Sequence, residues 1–261
     1  MYHPQLPLLL EPFRQQFQAT IQSFVKILPQ PAGETTPWQS KIGGAPYLPK
    51  SAEYPCNHKG EPLFFLAQIN FAQMPALEFF PKEGIVQFYI NNGDLLGWNE
   101  DGSLEQRDYR VLFFKKTELD EAQLQQYFPE LIPAEVLPIP AGISYPLTFE
   151  LQQEIVPLSD FRFVQLLGED FFEPFGEGQW DIMDDYFKMH DSGGHKLGGY
   201  AFFTQTDPRE RLGEMELLFQ LDTDKAIQSM WGDMGVGHFF IRKEDLEQRD
   251  FSKAYFTWDC Y

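Results

Sequence analysis

The residues best suited to chemistry lie together in the run His190-Asp191-Ser192-Gly193-Gly194-His195-Lys196-Leu197-Gly198-Gly199. This run supplies a hydroxyl nucleophile, two imidazoles and a carboxylate, which are groups that a hydrolytic or metal site requires. Its glycines let the backbone approach a ligand closely. The alternative is a helix C-cap followed by a tight turn into a strand, which such a run forms more often. We name Asp191, His195, Gly198 and Gly199 as candidate ligand-binding residues and assign no catalytic residue.

A second set of candidates is acidic. Asp222-Thr223-Asp224 precedes Trp231 and Asp233, and a separate group comprises Asp181, Asp184 and Asp185. Closely spaced carboxylates can bind a divalent cation, but neither group has the spacing of an EF-hand loop. An acidic loop is more often simply solvated. We therefore keep Trp231 and Asp233 as candidate ligand-binding residues and predict no metal and no other cofactor.

Two glutamines, Gln68 and Gln220, occupy the same place in two similar apolar stretches. A buried amide needs hydrogen-bond partners, so the simpler role is to fix neighbouring backbone. The functional interpretation is a pseudo-symmetric ligand site between two lobes, and we include both residues among the candidates.

The elements that must position these residues occur twice in the same order. Lys41-Ile42-Gly43-Gly44 recurs as Lys196-Leu197-Gly198-Gly199, and the strand-like runs around Gln68 and at 84–90 recur around Gln220 and at 235–241. Such a pattern indicates one supersecondary unit used twice. We predict a single domain over residues 1–261, with pseudo-repeats at about 38–116 and 194–261 and a linking segment at 117–193.

Strands dominate the predicted secondary structure because aromatic and apolar runs alternate with turns, without regular βαβ spacing. The predicted fold class is therefore α+β and β-rich, with coiled, mostly antiparallel sheets from a tandem duplication and peripheral helices. The predicted strands lie at 63–71, 85–90, 109–114, 200–203, 216–222, 236–241 and 254–260.

Most of the predicted helices lie outside the repeats. Apolar residues at three- and four-residue steps predict an amphipathic N-terminal helix at 12–28. Further helices are expected from Thr117 to Pro129, from Asp160 with Ser159 as its cap, at 179–190 and, as a short turn, at 244–250. The proline-dotted part of the linking segment, 133–157, is predicted to form an ordered strap on the core surface.

Charge restricts the possible partners. A formal net charge of -19 and a pI near 4.5 disfavour nucleic acid and anionic membranes, whereas a basic protein would be attracted. The simpler interpretation is that the acid excess keeps the protein soluble. Arg162, Arg209 and Arg211 are expected to be ion-pair partners rather than carboxylate receptors. Two cysteines without metal spacing, and the lack of a signal-like or membrane-length apolar run, predict a cytoplasmic protein.

The glycine-pair motif Gly43-Gly44-Ala45-Pro46-Tyr47-Leu48-Pro49, the two glutamine-bearing strands and the later Trp231-Gly232-Asp233 resemble the bacterial YwqG-like family along nearly the full length. The resemblance implies coiled β-sheets with an internal duplication, and no established catalytic residues. It also implies a possible relation to immunity proteins, because some relatives are found beside secreted polymorphic toxins.

Nucleotide-binding and hydrolase signatures are absent from the sequence, including the P-loop, the dinucleotide-binding glycine motif, the zincin motif and the nucleophile elbow. The function predicted is a non-enzymatic protein-binding module, immunity-like toward a basic toxin. The alternative is a small-ligand-binding protein or hydrolase with a cleft between the two repeats, so enzymatic activity stays open.

Overall fold

A single sheet of ten antiparallel strands organises the described chain, which comprises residues 2–99, 101, 103–129 and 136–261 of a computed structural model. The strand order is β10-β9-β8-β7-β1-β6-β2-β3-β4-β5. The strands are β1 Gln22–Pro29, β2 Lys41–Gly43, β3 Phe64–Asn70, β4 Ile85–Ile90, β5 Tyr109–Phe114, β6 Ser144–Glu154, β7 Lys196–Gly198, β8 Glu216–Asp222, β9 Val236–Ile241 and β10 Tyr255–Asp259.

The sheet curls until its two outer strands approach each other. Phe88 on β4 packs against Phe219 on β8 and Phe239 on β9, with ring centroids 4.6 and 4.7 Å apart. At the edges, the Tyr109 hydroxyl donates to the Ala254 carbonyl at 3.2 Å. Aromatic and aliphatic side chains together thus form the core enclosed by the sheet.

The two halves of the sheet have matching strand order on either side of the central β1–β6 pair. β2 to β5 run outward on one side, and β7 to β10 run outward on the other. The glycine pairs Gly43-Gly44 and Gly198-Gly199 all have φ between 68° and 73°, and β3 and β8 each contain a register shift. The β-rich, antiparallel class is confirmed, and the tandem duplication stays a prediction.

Six of the predicted strands are confirmed. Four have the predicted bounds, and the predictions 63–71 and 254–260 each extend one residue beyond both ends of the observed strand. The helix predicted at 179–190 is confirmed as Gln179–Met189, and the helical turn predicted at 244–250 is confirmed as Lys243–Gln248. The helices are α1 Arg14–Ala19, α2 Arg162–Leu167, α3 Gln179–Met189, α4 Arg209–Leu212 and α5 Lys243–Gln248, and no helix in the described ranges is long and apolar enough to cross a membrane.

The predicted N-terminal helix at 12–28 is wrong beyond α1. After Ala19 the chain becomes β1, which pairs with β6 over eight residues and with β7 on its other side. Val25 and Ile27 alternate with partly or fully exposed neighbours and enter the core. Long-range pairing outweighs the helical spacing of the apolar residues because it satisfies the backbone on both sides of the strand.

The linking segment also differs from expectation. The helix predicted after Thr117 is wrong, because the chain there has only a 3-10 turn, Glu121–Gln123, and Leu124 is buried in a bridge to Pro49. The predicted surface strap contains β6, a central strand of the sheet. Residues 130–135, part of that strap, lie outside the described residues.

Two local predictions near the second half are also wrong. Residues 200–203 do not form the expected strand, and the strand in this region is β7, Lys196–Gly198. The positive φ values of Gly198 and Gly199 turn the chain out of the sheet before residue 200. Ser159 does not cap α2. The Asp160 carboxylate accepts the Arg162 N–H at 3.0 Å instead.

Candidate functional site

The 190–199 run follows α3, contains β7 and borders a cavity of about 370 Å³ beside the central strands β1 and β6. Asp191 and His195 line this cavity together with Ser192, Glu154 and Lys196. The local order, helix end, glycine turn and strand, is the structural alternative recognised in the sequence. The structure therefore brings the potentially reactive residues of the run together. Their hydrogen bonds decide what chemistry they can perform.

Glu154, from the end of β6, is the centre of this cluster. Its two oxygens accept hydrogen bonds from Lys196 Nζ at 2.8 and 2.9 Å, from Ser192 Oγ at 2.9 Å and from the Tyr200 N–H at 2.8 Å. Burial lowers the pKa of Lys196, against the opposing effect of Glu154. The Ser192 hydroxyl donates its proton to a carboxylate that also accepts hydrogen bonds from Lys196 and the Tyr200 N–H, an arrangement that holds the turn in place.

His195 links the run to the end of β8. Its Nδ1 accepts the Asp222 N–H at 3.0 Å, so Nε2 carries the proton and donates to Asp224 Oδ2 at 3.2 Å. Burial lowers the pKa of His195 although Asp224 raises it, which favours the neutral ring. Asp191 is exposed and accepts the Gly193 N–H at 3.0 Å. Ser192 and His195 thus bond to different carboxylates, and the run has no nucleophile–base contact between them.

The two glutamines perform the same task in each half. Gln68 Oε1 accepts the Tyr47 N–H at 2.8 Å, and its Nε2 donates to the Pro37 and Gln39 carbonyls at 2.7 and 2.8 Å. Both amides are fully buried and fix the loop that precedes a glycine-pair strand. A ligand-binding role for them stays a prediction.

Gln220 follows the same pattern. Its Oε1 accepts the Phe202 N–H at 3.0 Å, and its Nε2 donates to the Ser192 and Gly194 carbonyls at 3.1 and 2.8 Å. Gln220 therefore holds the backbone of the 190–199 run, whereas Gln68 holds a different loop in the other half.

The remaining candidates are dispersed. Trp231 is fully buried, and its ring lies so close to Gly237 that an added Cβ would come within 2.3 Å of it. Asp233 is exposed, and its carbonyl accepts the Tyr261 N–H at 3.1 Å. A Cβ on Gly199 would lie 2.2 Å from Glu154 Oε1, whereas one on Gly198 would meet Leu77. Within the described ranges, no three His, Cys, Asp or Glu side chains converge as a metal site.

A buried charge network anchors the linking segment. Asp160 bonds Arg162 and Arg209 at 2.8 Å each, and Arg209 also bonds Asp207 at 2.7 Å. Burial alone would raise the pKa of Asp160, but the two guanidinium groups lower it to about 2. The expectation that Arg162 and Arg209 are ion-pair partners is confirmed.

The exposed face of α3 combines acidic and aromatic side chains. Trp180, Asp184 and Phe187 follow one another at helical spacing, beside Asp181 and Asp185, and we call these five residues the α3 face. Trp180 is 67% exposed and Phe187 37%. The opposite side of α3 packs Ile182 and Tyr186 into the protein.

The sequence identified the three aspartates of the α3 face but not its aromatic residues. The helical spacing of Trp180 and Phe187, opposite Ile182 and Tyr186, is the signal that would have found them.

Comparison with known proteins gives a family but no activity. No curated protein matches the chain. Residues 40–260 match a family described as a domain of unknown function, DUF1963. This agrees with the uncharacterised family expected from the sequence, and the narrower YwqG-like assignment stays a prediction. Since the match covers both halves of the sheet and the α3 face, the chain belongs to the DUF1963 family.

Proposed function

We propose that this chain is a non-enzymatic binding protein whose α3 face docks a basic protein. The observation that carries the proposal is the composition of that face. Three exposed carboxylates flank two exposed aromatic rings, and the one cation in the helix, Lys188, is already paired with Asp184. Aromatic residues at the centre of an interface supply contact area, while unpaired charges at its border select the partner and speed its approach.

Charge over the whole molecule supports a basic partner. A net charge of -19 attracts cationic proteins and repels nucleic acid and anionic lipid. The hydrogen bonding of the 190–199 run supports a role other than hydrolysis, because Ser192 and His195 bond to separate carboxylates. The narrower proposal is that the protein is immunity-like and neutralises a basic toxin. That part comes from the resemblance to the YwqG-like family.

The test compares two variants of equal charge. Asp181→Asn, Asp184→Asn and Asp185→Asn together neutralise the α3 face, and Glu53→Gln, Glu83→Gln and Glu247→Gln neutralise three exposed carboxylates elsewhere. Each variant, and Trp180→Ala, is immobilised and exposed to lysate of the native host at 0.15 M and 0.5 M NaCl. Circular dichroism verifies that each variant is folded.

We expect wild type and the Glu variant to retain the same basic protein, identified by mass spectrometry, and the Asp variant and Trp180→Ala to lose it. High salt should release the partner, because rim charges are screened. Equal retention by the two charge-matched variants, or no basic protein retained by wild type, would contradict the proposal.

A further inference from the structure

A second cavity, of about 310 Å³, lies where the connection between β4 and β5 meets β9 and β10. Leu95 and Trp98 come from that connection, whereas His238, Trp258 and Asp259 come from the two outer strands of the other half. The Trp258 Nε1–H donates to the Leu95 carbonyl at 3.0 Å, and the Trp98 Nε1–H donates to the Tyr255 hydroxyl at 3.2 Å. The cavity wall is thus held together across the two halves of the sheet, and its volume suits a small molecule.

His238 lines this cavity, and one of its ring nitrogens is left unused by the described residues. The ring is fully buried, and its Nε2–H donates to the Phe202 carbonyl at 2.7 Å. Burial lowers the pKa of His238 to about 3, so the ring is neutral and Nδ1 bears a lone pair. Within the described part of the chain, no donor reaches this Nδ1. A buried polar atom normally has a hydrogen-bond partner, so we expect a bound ligand to donate a hydrogen bond to His238 Nδ1.

Asp259 supplies a second acceptor on the same face of the sheet. His238 pairs with Thr257 in the β9–β10 ladder, and side chains two residues apart on a strand share a face, so Asp259 lies diagonally opposite His238. Asp259 Oδ2 accepts the Thr204 and Gln205 N–H groups at 3.0 and 2.9 Å. Its other oxygen, Oδ1, is buried, and no well-aligned donor reaches it among the described residues. Burial raises the pKa of Asp259, whereas the Thr204 and Gln205 N–H groups and the nearby Thr204 hydroxyl lower it.

The cavity therefore combines two acceptors, one of them on a carboxylate, with aromatic walls. A ligand that fits both must donate hydrogen bonds, and a positive charge is favoured by the carboxylate and by the faces of Trp98 and Trp258. Arg209, whose charge acts on the His238 ring, is itself neutralised by Asp160 and Asp207. The protein's overall acidity adds to this preference.

We propose that this cavity binds a small organic ammonium ion, whose N–H groups donate to His238 Nδ1 and Asp259 Oδ1 and whose apolar body lies against Trp98 and Trp258. The cavity shares no residue with the α3 face or the 190–199 run. Ammonium binding and protein docking can therefore succeed or fail separately.

Calorimetric titration of the full chain at pH 7.5 tests the proposal with three probes of similar shape: 2-phenylethylamine, 2-phenylethanol and phenylacetate. Wild type should bind the amine saturably, bind the alcohol at least about tenfold more weakly and not bind the carboxylate. Asp259→Asn can keep the bonds from Thr204 and Gln205 but replaces the free acceptor by a donor. It should weaken amine binding at least about tenfold, whereas the control Asp170→Asn, at an exposed carboxylate outside the cavity and outside the α3 face, should leave amine binding unchanged.

A second variant tests the same cavity if Asp259→Asn does not fold. Leu95→Trp enlarges a partly exposed wall residue and should block the amine while the thermal unfolding midpoint stays near that of wild type. The proposal is overturned if wild type binds no amine, if the alcohol binds as tightly as the amine, or if folded Asp259→Asn and Leu95→Trp both bind the amine like wild type.

Discussion

Two lysines at corresponding positions show how one residue type acquires different environments. Lys41 lies opposite Gln68 in the sheet, and Lys196 lies opposite Gln220. Both side chains are 1% exposed. Lys196 has Glu154 as its counter-ion, whereas Lys41 Nζ donates to the Thr36 carbonyl at 3.0 Å and to Thr35 Oγ1 at 3.3 Å. Because both hydrogen-bond partners of Lys41 are uncharged, burial lowers the pKa of Lys41 to about 8.

Lys41 should make stability depend on pH in the alkaline range. Its pKa is about 8 in the folded protein and about 10.4 in the unfolded chain. Between these values the unfolded chain binds more protons, so the contribution of Lys41 to the free energy of unfolding rises with pH. Relative to Lys41→Met, wild type should gain about 2 kcal/mol between pH 7 and pH 10, measured by urea unfolding.

The exposed Lys26 provides the control for this measurement. Wild type and Lys26→Met should have parallel pH profiles from pH 7 to pH 10. Parallel profiles for wild type and Lys41→Met would instead show that Lys41 is not held in a desolvated site.

At the scale of elements, the short strands beside the central pair depend on glycine. β2 has three residues and ends at Gly43, which pairs with Ser144 of β6 and has a φ of 68°. A Cβ at Gly43 would lie 2.3 Å from the Ile143 carbonyl oxygen. Both the backbone conformation and the close approach of these two segments of the chain therefore require glycine. Gly142 has a similar φ of 76°, but a Cβ there would meet open space.

The two glycines allow strain and crowding to be separated. Gly142→Ala should cost about 1 kcal/mol of unfolding free energy, which is the cost of the left-handed conformation alone. Gly43→Ala should cost about 3 kcal/mol or more, because β2 and β6 must also move apart. Chemical denaturation of both variants measures the difference in unfolding free energy. Equal costs would show that the contact between Gly43 and Ile143 adjusts to an added methyl group without a further loss of stability.

At the scale of the whole molecule, side chains join the outer strands of the two halves. Gln106 Nε2 donates to the carbonyls of Phe251 and Ala254 at 2.9 and 3.1 Å, while its Oε1 accepts the Val111 N–H at 2.8 Å. Together with the Tyr109 hydroxyl, Gln106 connects β5 to the chain that leads into β10. The curled shape therefore depends on contacts between residues about 145 positions apart in sequence.

Gln106→Ala should open this junction. Loss of the amide removes the acceptor of the Val111 N–H, while the Phe251 and Ala254 carbonyls keep the Ala254 N–H and the Tyr109 hydroxyl as donors. We expect a loss of about 1–3 kcal/mol in unfolding free energy. Hydrogen exchange should accelerate first in β10 and β5, while β1 and β6 stay protected at the sheet centre. The exposed Gln165→Ala is the control, and uniform acceleration over all strands would argue against a local junction.

The sequence by itself determined the strands whose apolar and aromatic runs are bounded by turn residues, such as Ile85–Ile90 and Val236–Ile241. It also indicated that Gln68 and Gln220 need backbone partners and that Arg162 and Arg209 need carboxylates. These properties follow from local pattern and from the cost of burying an unpaired polar group.

Only the tertiary structure decided that Gln22–Pro29 is a central strand, because its apolar residues suit helix and strand alike and pairing with β6 and β7 selects the strand. The structure also brought Glu154 to Lys196 and Ser192, and His238 to the face shared with Asp259. Such groups are far apart in sequence, and their proximity depends on strand order and register, which local pattern does not encode.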